Sequence, residues 1–358
     1  MSVTLTGEQK DVVRKIVKGI KSGNEQIQTL GGYAGTGKTT ITTTLHTFFP
    51  NYATCAFTGK AASVMRSKGM DGAATIHSTI YFPKKDEETG KTRFDLKPRG
   101  MLGFEGFLVD EASMVGKEEY DGLLSFGVPI VFIGDHGQLE PVSSDVNVMK
   151  NPMYKLEQIH RNAGEIAYFA EHIRKGGDVR RFHTDTRVQV AEARDATDDI
   201  ITNTDQIICA FNSFRIGVNN NIRRLNKRGN DPEPGDRVIC LRNNKADRVF
   251  NGMHATVYEV NMKMRKITID TDDGERMWDL PFCPEQFGRE GTLTEMDYWN
   301  NLFDFGYCIT AHKSQGSEWD NVIVYEQICK KWEHARWAYT AASRAKSGLI
   351  GLCQGSRW

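Results

Sequence analysis

The sequence predicts an α/β protein built on parallel β-sheets, and three observations carry that prediction. Apolar strands alternate with helices over about residues 1–150 and again in a later region that includes 205–211 and 321–325, and a glycine-rich loop lies at 31–40. Strands that are joined by helical crossovers lie parallel, with helices on both faces of the sheet. The chain has 358 residues, which at ~150 residues per domain corresponds to about two domains.

Composition and charge exclude several classes of protein. Lys plus Arg and Asp plus Glu each number 46, so no global basic field attracts nucleic acid, and any such partner depends on local sites. No apolar run reaches the ~18 residues of a membrane span, and residues 1–10 lack the apolar segment of a signal peptide. Seven cysteines without a Cys-x-x-Cys pair favour free thiols. We therefore expect a cytoplasmic protein with no membrane partner.

The glycine-rich loop has the spacing of a phosphate-binding loop (P-loop). Residues 31–40 place Gly32, Gly37, Lys38 and Thr39 in the pattern G-x-x-x-x-G-K-[ST]. Glycines let backbone N–H groups turn toward phosphate oxygens, the lysine reaches the β- and γ-phosphates, and the threonine hydroxyl ligates Mg²⁺. The strand before the loop and the helix after it disfavour the alternative, a merely flexible glycine loop.

Two further strand ends carry residues that such a loop requires. The apolar run 104–110 ends in Asp110 and Glu111, and the apolar run 129–134 is followed by a polar turn with Gln138. The carboxyl ends of parallel strands meet at one edge of a sheet, so these side chains would lie near the phosphates. Asp110 would hold Mg²⁺ directly or through water, Glu111 would orient or deprotonate the attacking water, and Gln138 would sense the γ-phosphate. Ordinary solvated strand ends are the alternative.

At this point the chain resembles superfamily 1 helicases, in particular the RecD-like branch and the short Dda-type phage helicases. The resemblance rests on segments similar to six helicase motifs, in the right order along nearly the whole chain. Motifs I to VI match residues 31–39, 109–114, 134–142, 156–162, 307–319 and 339–345. The resemblance implies two RecA-like P-loop lobes and an ATP-dependent DNA helicase or translocase, with ATP and Mg²⁺ as cofactors, that moves 5′ to 3′ on single-stranded DNA.

The resemblance also assigns roles at the nucleotide site. Arg161 and Arg344 would reach the γ-phosphate from the second lobe, and Gln9 would read the edge of adenine. The catalytic set is then Lys38, Asp110, Glu111, Gln138, Arg161 and Arg344, with Thr39 and Asp110 as the metal ligands. The expected nucleotide-binding residues are Gln9, Gly35, Thr36, Gly37, Lys38, Thr39 and Thr40.

By the same resemblance, single-stranded DNA and its junction with duplex would be held mainly by short polar side chains. Such groups contact the backbone without reading bases, which suits a motor that is indifferent to sequence. The expected contacts are Thr58, Lys60, His77, Phe94, Asn212, Arg215, Thr310, His312 and Ser314. For His77 and His312, a structural hydrogen-bonding role is the alternative.

Two segments interrupt the expected lobes. Residues 81–103, with a polar turn at 87–91, predict a β-hairpin, which in this family is the pin that splits the duplex; Phe94 would stack on the last base pair. A solvated loop is the alternative. Residues 234–304 predict strands at 237–242, 254–260 and 266–270. By the resemblance, this segment would be the small β-barrel found between motifs IV and V in relatives, which could brace the pin or grip DNA. The first lobe would then comprise 1–80 and 104–150, and the second 151–233 and 305–358.

Other functions stay open at this level. A different P-loop enzyme, such as a small-molecule kinase or a GTPase, fits the P-loop alone, although residues 226–229 lack the Asp of the GTPase motif Asn-Lys-x-Asp. A single-stranded-DNA-dependent ATPase that does not unwind, or the motor subunit of a larger recombination or repair complex, is the second alternative. We expect a monomer, with replication or recombination proteins as candidate partners.

Overall fold

The structure, a computed structural model, describes residues 5–23, 25–85, 92–141, 144–160, 164–182, 186–244, 246–294, 300–328, 330 and 332–353. The chain divides into two compact units, Met1–Glu171 and His172–Trp358. Among the helices of these residues, none has the length and apolar character needed to cross a membrane.

The first unit is built on a parallel sheet. Its strands are β1 (Ile27–Gly32), β2 (Tyr52–Ala56), β3 (Ala74–Thr75), β4 (Tyr81–Lys85), β5 (Thr92–Leu96), β6 (Gly106–Asp110), β7 (Ile130–Gly134) and β8 (Tyr154–Leu156). Six of them form one sheet in the order β3-β2-β6-β7-β1-β8, and every neighbouring pair is parallel. The helices of this unit are α1 (Gly7–Ser22), α2 (Lys38–Phe48), α3 (Gly59–Ser67), α4 (Ile76–Ile80) and α5 (Lys117–Ser125).

The central strands of this sheet are buried on both faces. Along β6, Phe107 and Val109 belong to one apolar cluster, and Leu108 belongs to a second cluster. The alternation arises because successive side chains of a strand point to opposite faces, and helices cover both. The carboxyl ends of β1, β6 and β7 consequently come together at one edge of the sheet.

Strands β4 and β5 form an antiparallel pair that runs from Tyr81 opposite Leu96 to Lys85 opposite Thr92. This ladder lies within the segment in which the sequence predicted a hairpin. The predicted turn at 87–91 falls outside the residues that the structure describes.

The first unit extends further along the chain than the expected boundary at residue 150. Strand β8 pairs in parallel with β1, with Leu30 opposite Tyr154, and the unit ends at Glu171. The sequence analysis placed these residues in the second lobe together with motif IV, whose Arg161 the resemblance assigns to that lobe. The pairing with β1 assigns them to the first sheet.

The second unit contains two sheets. Its strands are β9 (Val188–Glu192), β10 (Gln206–Cys209), β11 (Arg237–Cys240), β12 (His254–Asn261), β13 (Lys266–Thr271), β14 (Arg276–Pro281), β15 (Phe303–Phe305), β16 (Cys308–Thr310), β17 (Trp319–Tyr325) and β18 (Ala345–Cys353). The parallel sheet has the order β16-β10-β17-β18-β9. The helices are α6 (Gly164–Arg174), which crosses the boundary between the units, α7 (Asp198–Thr202), α8 (Asn212–Leu225), α9 (Ala311–Ser314) and α10 (His334–Ala342).

The second sheet of this unit is antiparallel, with the order β14-β13-β12-β11-β15. Phe282 and Asn301, which lie just beyond its two edge strands, form an isolated parallel bridge. We call this sheet the barrel insertion, after the prediction. The apolar interior includes Val238, Ile267 and Phe303. The strands begin at 237, 254 and 266, where the sequence placed them, and the last strand reaches Phe305.

Candidate nucleotide-binding site

The P-loop connects β1 to α2 and requires glycine at specific positions. Gly35 and Gly37 have φ angles of 77° and 85°, in the left-handed region that favours glycine. A Cβ atom on Gly37 would lie 2.3 Å from Gln9 Nε2, and one on Gly32 would lie 2.7 Å from Thr36 Oγ1. The loop is thus a tight cradle of backbone N–H groups at the start of a helix, which is an arrangement that binds phosphate.

Lys38 lies at the first position of α2 and its ammonium group turns back toward the loop. Nζ donates to Gly32 O at 2.8 Å and to Tyr33 O at 3.0 Å, and lies 3.5 Å from Asp135 Oδ2. These three oxygens match the three N–H donors of an ammonium group. The same donors are the ones that would contact phosphate oxygens, so anion binding here requires Lys38 to exchange partners.

Asp135, to which the sequence analysis gave no role, links two of the predicted residues. Its carboxylate is fully buried, accepts from Gly137 N at 2.9 Å, and receives Gln138 Nε2 at 3.4 Å besides the contact with Lys38. One carboxylate at the end of β7 therefore connects Lys38 to Gln138. The acidic residue directly after an apolar strand, three positions before Gln138, was the signal available in the sequence.

Asp110 ends β6 at the same edge of the sheet. Its Oδ1 accepts from Glu111 N at 2.9 Å, and Oδ2 lies 3.5 Å from Thr42 Oγ1. Burial raises the pKa of the Asp110 carboxyl, against the opposing effects of the Glu111 N–H and the Lys38 charge. The Asp110 carboxylate contacts α2, the helix that begins with Lys38 and the half-buried Thr39, and carboxylate and hydroxyl oxygens are the hard ligands that Mg²⁺ prefers.

Glu111 follows in a conformation that is uncommon for a residue with a side chain. Its φ and ψ are 51° and 39°, in the left-handed region, immediately before the short 3-10 helix Ala112–Met114. Such backbone strain concentrates at functional sites, because the surrounding structure must hold it in place. The strain accords with the catalytic role predicted for Glu111.

Gln9 anchors the start of α1 to the P-loop. Its Oε1 accepts from Thr6 N at 3.0 Å, and Nε2 donates to Thr36 O at 3.1 Å and lies 2.9 Å from His160 Nε2. His160 N also donates to Gly35 O at 3.2 Å. The sequence analysis missed His160, whose position beside Arg161 was the available signal.

The remaining predicted nucleotide residues lie in or beside the loop. Gly35 is exposed and Thr40 is half-buried, whereas Thr36 is buried and donates its hydroxyl to Tyr33 O at 2.8 Å. In the first unit, contacts thus join Gln9 to the P-loop, Lys38 and Gln138 to Asp135, and Asp110 to α2. Arg161 lies outside the described residues.

Arg344 lies in the second unit, just after α10, and is 4% exposed. Its guanidinium donates to Thr340 O at 3.1 Å, Ser317 O at 3.4 Å and Ser343 Oγ at 3.0 Å. All three acceptors are neutral oxygens. Among the described residues no carboxylate pairs with this charge.

The DNA-contact candidates of the first unit lie at the start of α3, on α4 and on β5. Thr58 caps α3, with Oγ1 accepting from Ala61 N at 3.1 Å, and Lys60 lies half-buried in the first turn. His77 Nε2 is 3.9 Å from Glu119, and its ring centroid is 6.0 Å from that of Phe94. Phe94 is 47% exposed, which leaves its ring accessible for stacking.

The candidates from motif V have different surroundings. Thr310 is 7% exposed and caps α9, with Oγ1 accepting from Lys313 N at 3.4 Å. Burial lowers the pKa of His312, whose ring is 6.0 Å from Trp332. Ser314 is fully buried and donates to Ala311 O at 2.8 Å, which removes its hydroxyl from the expected contacts with DNA.

Arg215 is the second correction to the expected DNA contacts. Its guanidinium forms a buried ion pair with Asp304 at 2.7 Å and donates to Arg289 O at 2.8 Å. Arg215 therefore joins α8 to the barrel insertion, because a buried carboxylate takes up its charge. Asn212 remains exposed, and its Oδ1 accepts from Arg215 Nε at 3.3 Å.

The first unit defines the class: a P-loop nucleotide-binding protein whose functional residues come from the carboxyl ends of a parallel sheet. More specifically, the chain belongs to the AAA-domain family, whose model matches residues 4–195, more than half of its length. A UvrD-like helicase C-terminal domain matches residues 305–350. Both matches agree with the resemblance to superfamily 1 helicases.

Relatives and solved structures agree with this family. The ATP-dependent RecD2 DNA helicase of Deinococcus radiodurans is 25% identical over an alignment of 388 positions, gaps included. The alignment covers 99% of this chain and 50% of the relative. A probable conjugal transfer protein TraA of Sinorhizobium fredii is 25% identical, over 98% of this chain and 34% of the relative. The chain thus spans half or less of the length of these relatives.

Two solved helicase structures share the fold. Bacteroides Pif1 bound to single-stranded DNA has a TM-score of 0.61 at 19% identity and covers 98% of this chain and 92% of its own. Pif1 helicase from Candida albicans has a TM-score of 0.55 at 20% identity, covering 99% and 95%. The predicted fold class, with two RecA-like parallel-sheet lobes, is confirmed.

Proposed function

We propose that this protein is an ATP-dependent DNA helicase that moves 5′ to 3′ on single-stranded DNA. The main support for this proposal is that Lys38, Asp110, Asp135 and Gln138 lie together at one edge of a parallel sheet. The direction of movement rests on the family resemblance. The RecD2 relative is by name an ATP-dependent DNA helicase, which supports the reaction proposed here.

The residues present fit ATP and Mg²⁺. At Gly32 and Gly37 the loop has no room for a side chain, which keeps its backbone N–H groups close to where phosphate would bind. The oxygen atoms of Thr39 and Asp110 suit a hard divalent cation as ligands. When bound, the metal supplies charge neutralisation on the phosphates. Lys38 would neutralise the same oxygens, Glu111 would orient and deprotonate the attacking water, and Gln138 would contact the γ-phosphate oxygen.

Arg344 has the chemistry of an arginine that responds to a phosphate. A buried guanidinium that has only neutral acceptors keeps its charge uncompensated, which is unfavourable unless an anion completes the site. We therefore assign Arg344, together with Arg161, to the γ-phosphate, where developing negative charge is stabilised by such a group. Its present contacts with Thr340, Ser317 and Ser343 would be exchanged for phosphate oxygens.

We assign DNA contacts to side chains near strand and helix ends, all of them at least partly exposed except the buried Thr310. Thr58, Lys60, His77, Asn212, Thr310 and His312 would hold the sugar–phosphate backbone, and Phe94 would stack at the junction with duplex. The two lobes would form the motor, the hairpin would be the pin that splits the duplex, and the barrel insertion would support the pin. The protein would act as a cytoplasmic monomer.

Strand separation on tailed duplexes tests this proposal. Duplexes with a 5′ or a 3′ single-stranded tail are incubated with ATP and Mg²⁺, and ATP hydrolysis is recorded in parallel. We expect unwinding of the 5′-tailed duplex and stimulation of hydrolysis by single-stranded DNA. Unwinding of the 3′-tailed duplex alone would contradict the direction, and hydrolysis indifferent to DNA would contradict the class.

A second candidate function is that of an ATPase that depends on single-stranded DNA but does not unwind, or of the motor subunit of a larger recombination or repair complex. It is favoured by the short span of this chain relative to RecD2 and TraA, of which it covers 50% and 34%. In that case single-stranded DNA would stimulate hydrolysis in the tailed-duplex experiment, but no strand would be displaced.

A further inference from the structure

A groove on the first unit has no role in the nucleotide site. It lies along α1 beside the end of α2 and has a volume of about 740 Å³. Its apolar lining consists of Leu5, Val13, Val17 and Phe48. Phe48, the last residue of α2, is 57% exposed, which is unusual for a phenylalanine in a folded domain. We call this feature the α1 groove.

Four cations also line the α1 groove, and they follow the helical repeat. They are Lys10, Arg14, Lys18 and Lys21. Residues separated by three or four positions share one face of a helix, so the cations form a stripe along the face that Val13 and Val17 also occupy. Val12, Val13 and Ile16 pack into the core of the unit, and the partly buried Leu5 and Val17 pack against that core, so Phe48 is the most exposed apolar residue of the groove.

Ion pairs on α1 do not neutralise the positive charge of this stripe. Asp11 pairs with Lys15 at 2.8 Å and lies 3.6 Å from Arg14, and both contacts are exposed to solvent. Within the described part of the chain, Lys10 and Lys18 form no ion pair, and no acidic residue lines the groove. The α1 groove is therefore an apolar strip bordered by cations, of which Arg14 lies near Asp11, whereas Lys10 and Lys18 have no ion pair within the described residues.

Helix stability alone does not account for the stripe. A cation near the C-terminus of a helix, such as Lys21, interacts favourably with the helix dipole, whereas Lys10 lies near the N-terminus, where the dipole disfavours a positive charge. A binding role would explain cations along the full length of the face.

We propose that the α1 groove docks an acidic peptide segment of a partner protein that carries apolar side chains. Its carboxylates would pair with the cations, and a leucine or phenylalanine would cover Phe48 and Val17. Single-stranded DNA matches the charge but not the lining, because three of the four apolar residues are aliphatic and offer no stacking surface. A peptide with alternating acidic and apolar residues matches both.

A fluorescein-labelled twelve-residue peptide of Asp, Glu, Leu and one Phe is the probe, and its fluorescence anisotropy is followed on addition of the full chain. We expect saturable binding that weakens with salt. A peptide with Asn and Gln in place of the acids, and one with Ser in place of Leu and Phe, should both bind at least about fivefold more weakly.

Variants locate the binding. The double variant Lys10→Glu/Lys18→Glu and the single variant Phe48→Gln should each weaken binding of the acidic peptide at least about fivefold. The matched control, Lys15→Glu, reverses a charge on the same helix outside the groove and should change affinity less than about twofold. DNA-stimulated ATP hydrolysis without peptide should stay at the wild-type rate in all three, which shows that the variants are folded.

Three results would overturn the proposal. Equal effects of Lys15→Glu and the double variant would show that only the overall charge of α1 matters. A loss of affinity for labelled single-stranded DNA equal to the loss for the peptide would assign the groove to nucleic acid. A dimer in sedimentation experiments that Phe48→Gln dissociates would assign it to a second copy of the chain.

Discussion

The two units differ in where their motif residues find their partners. In the first unit, side chains from the ends of β1, β6 and β7 contact one another, as Lys38, Asp135 and Gln138 do. In the second unit, Arg215 and Ser314 contact buried groups of their own unit. Motif spacing therefore identifies chemistry reliably where the loop itself forms the site, but it does not distinguish a ligand contact from a structural one elsewhere.

The largest effect should come from Lys38→Ala. Without the ammonium group the P-loop loses its phosphate-binding cation, and we expect ATP turnover to fall below detection. Steady-state ATP hydrolysis with saturating single-stranded DNA measures this. Lys117→Ala removes an exposed lysine paired with Asp121 and is the control. Near-normal turnover by Lys38→Ala would mean that the nucleotide binds elsewhere. The motif residues of the first unit would then be structural, like Arg215 and Ser314 in the second.

Arg344→Ala tests whether the second unit also contributes to catalysis. If its guanidinium stabilises charge on the γ-phosphate, kcat should fall by about 10³-fold or more while KM for ATP changes little. Arg224→Ala, which removes an exposed arginine of α8, should retain the wild-type kcat. A kcat within a few-fold of wild type would make Arg344 a structural residue like Arg215.

Arg215→Met should affect stability rather than DNA binding. The substitution leaves the Asp304 carboxylate buried without its partner, and we expect the free energy of unfolding to fall by about 3 kcal/mol in urea titrations. Arg248→Met breaks an exposed pair with Glu275 and should cost less than about 1 kcal/mol. A stable Arg215→Met variant that has lost affinity for single-stranded DNA would restore the original assignment.

Asp110→Asn should give the smallest effect, a gain in stability. Burial raises the pKa of Asp110 in the folded protein, so its ionised form destabilises the fold at neutral pH, and stability is lost as the pH rises through that pKa. We expect the variant to be more stable than wild type at pH 8, by less than about 2 kcal/mol. The gain should disappear as the pH is lowered toward 4, and a constant gain would contradict the cause.

Sequence alone was sufficient for the P-loop, because its pattern fits within eight residues and its chemistry follows from residue type. The roles of Asp135 and His160 were missed, because their contacts depend on which strands are neighbours. Lys38 and Asp135 are 97 positions apart in the chain, and they meet since β7 lies beside β1. The Arg215–Asp304 pair spans 89 positions and depends on how the barrel packs against α8.

The three oxygens around Lys38 have a consequence for the reuse of the site. Because the ammonium group already has partners in Gly32, Tyr33 and Asp135, it must give up these contacts when a phosphate binds and can regain them when the phosphate leaves. The loss of these contacts offsets part of the free energy gained from the charge-assisted bond to phosphate. In the proposed helicase, which would bind and release a nucleotide in every cycle, these internal contacts would hold the Lys38 side chain in place between cycles.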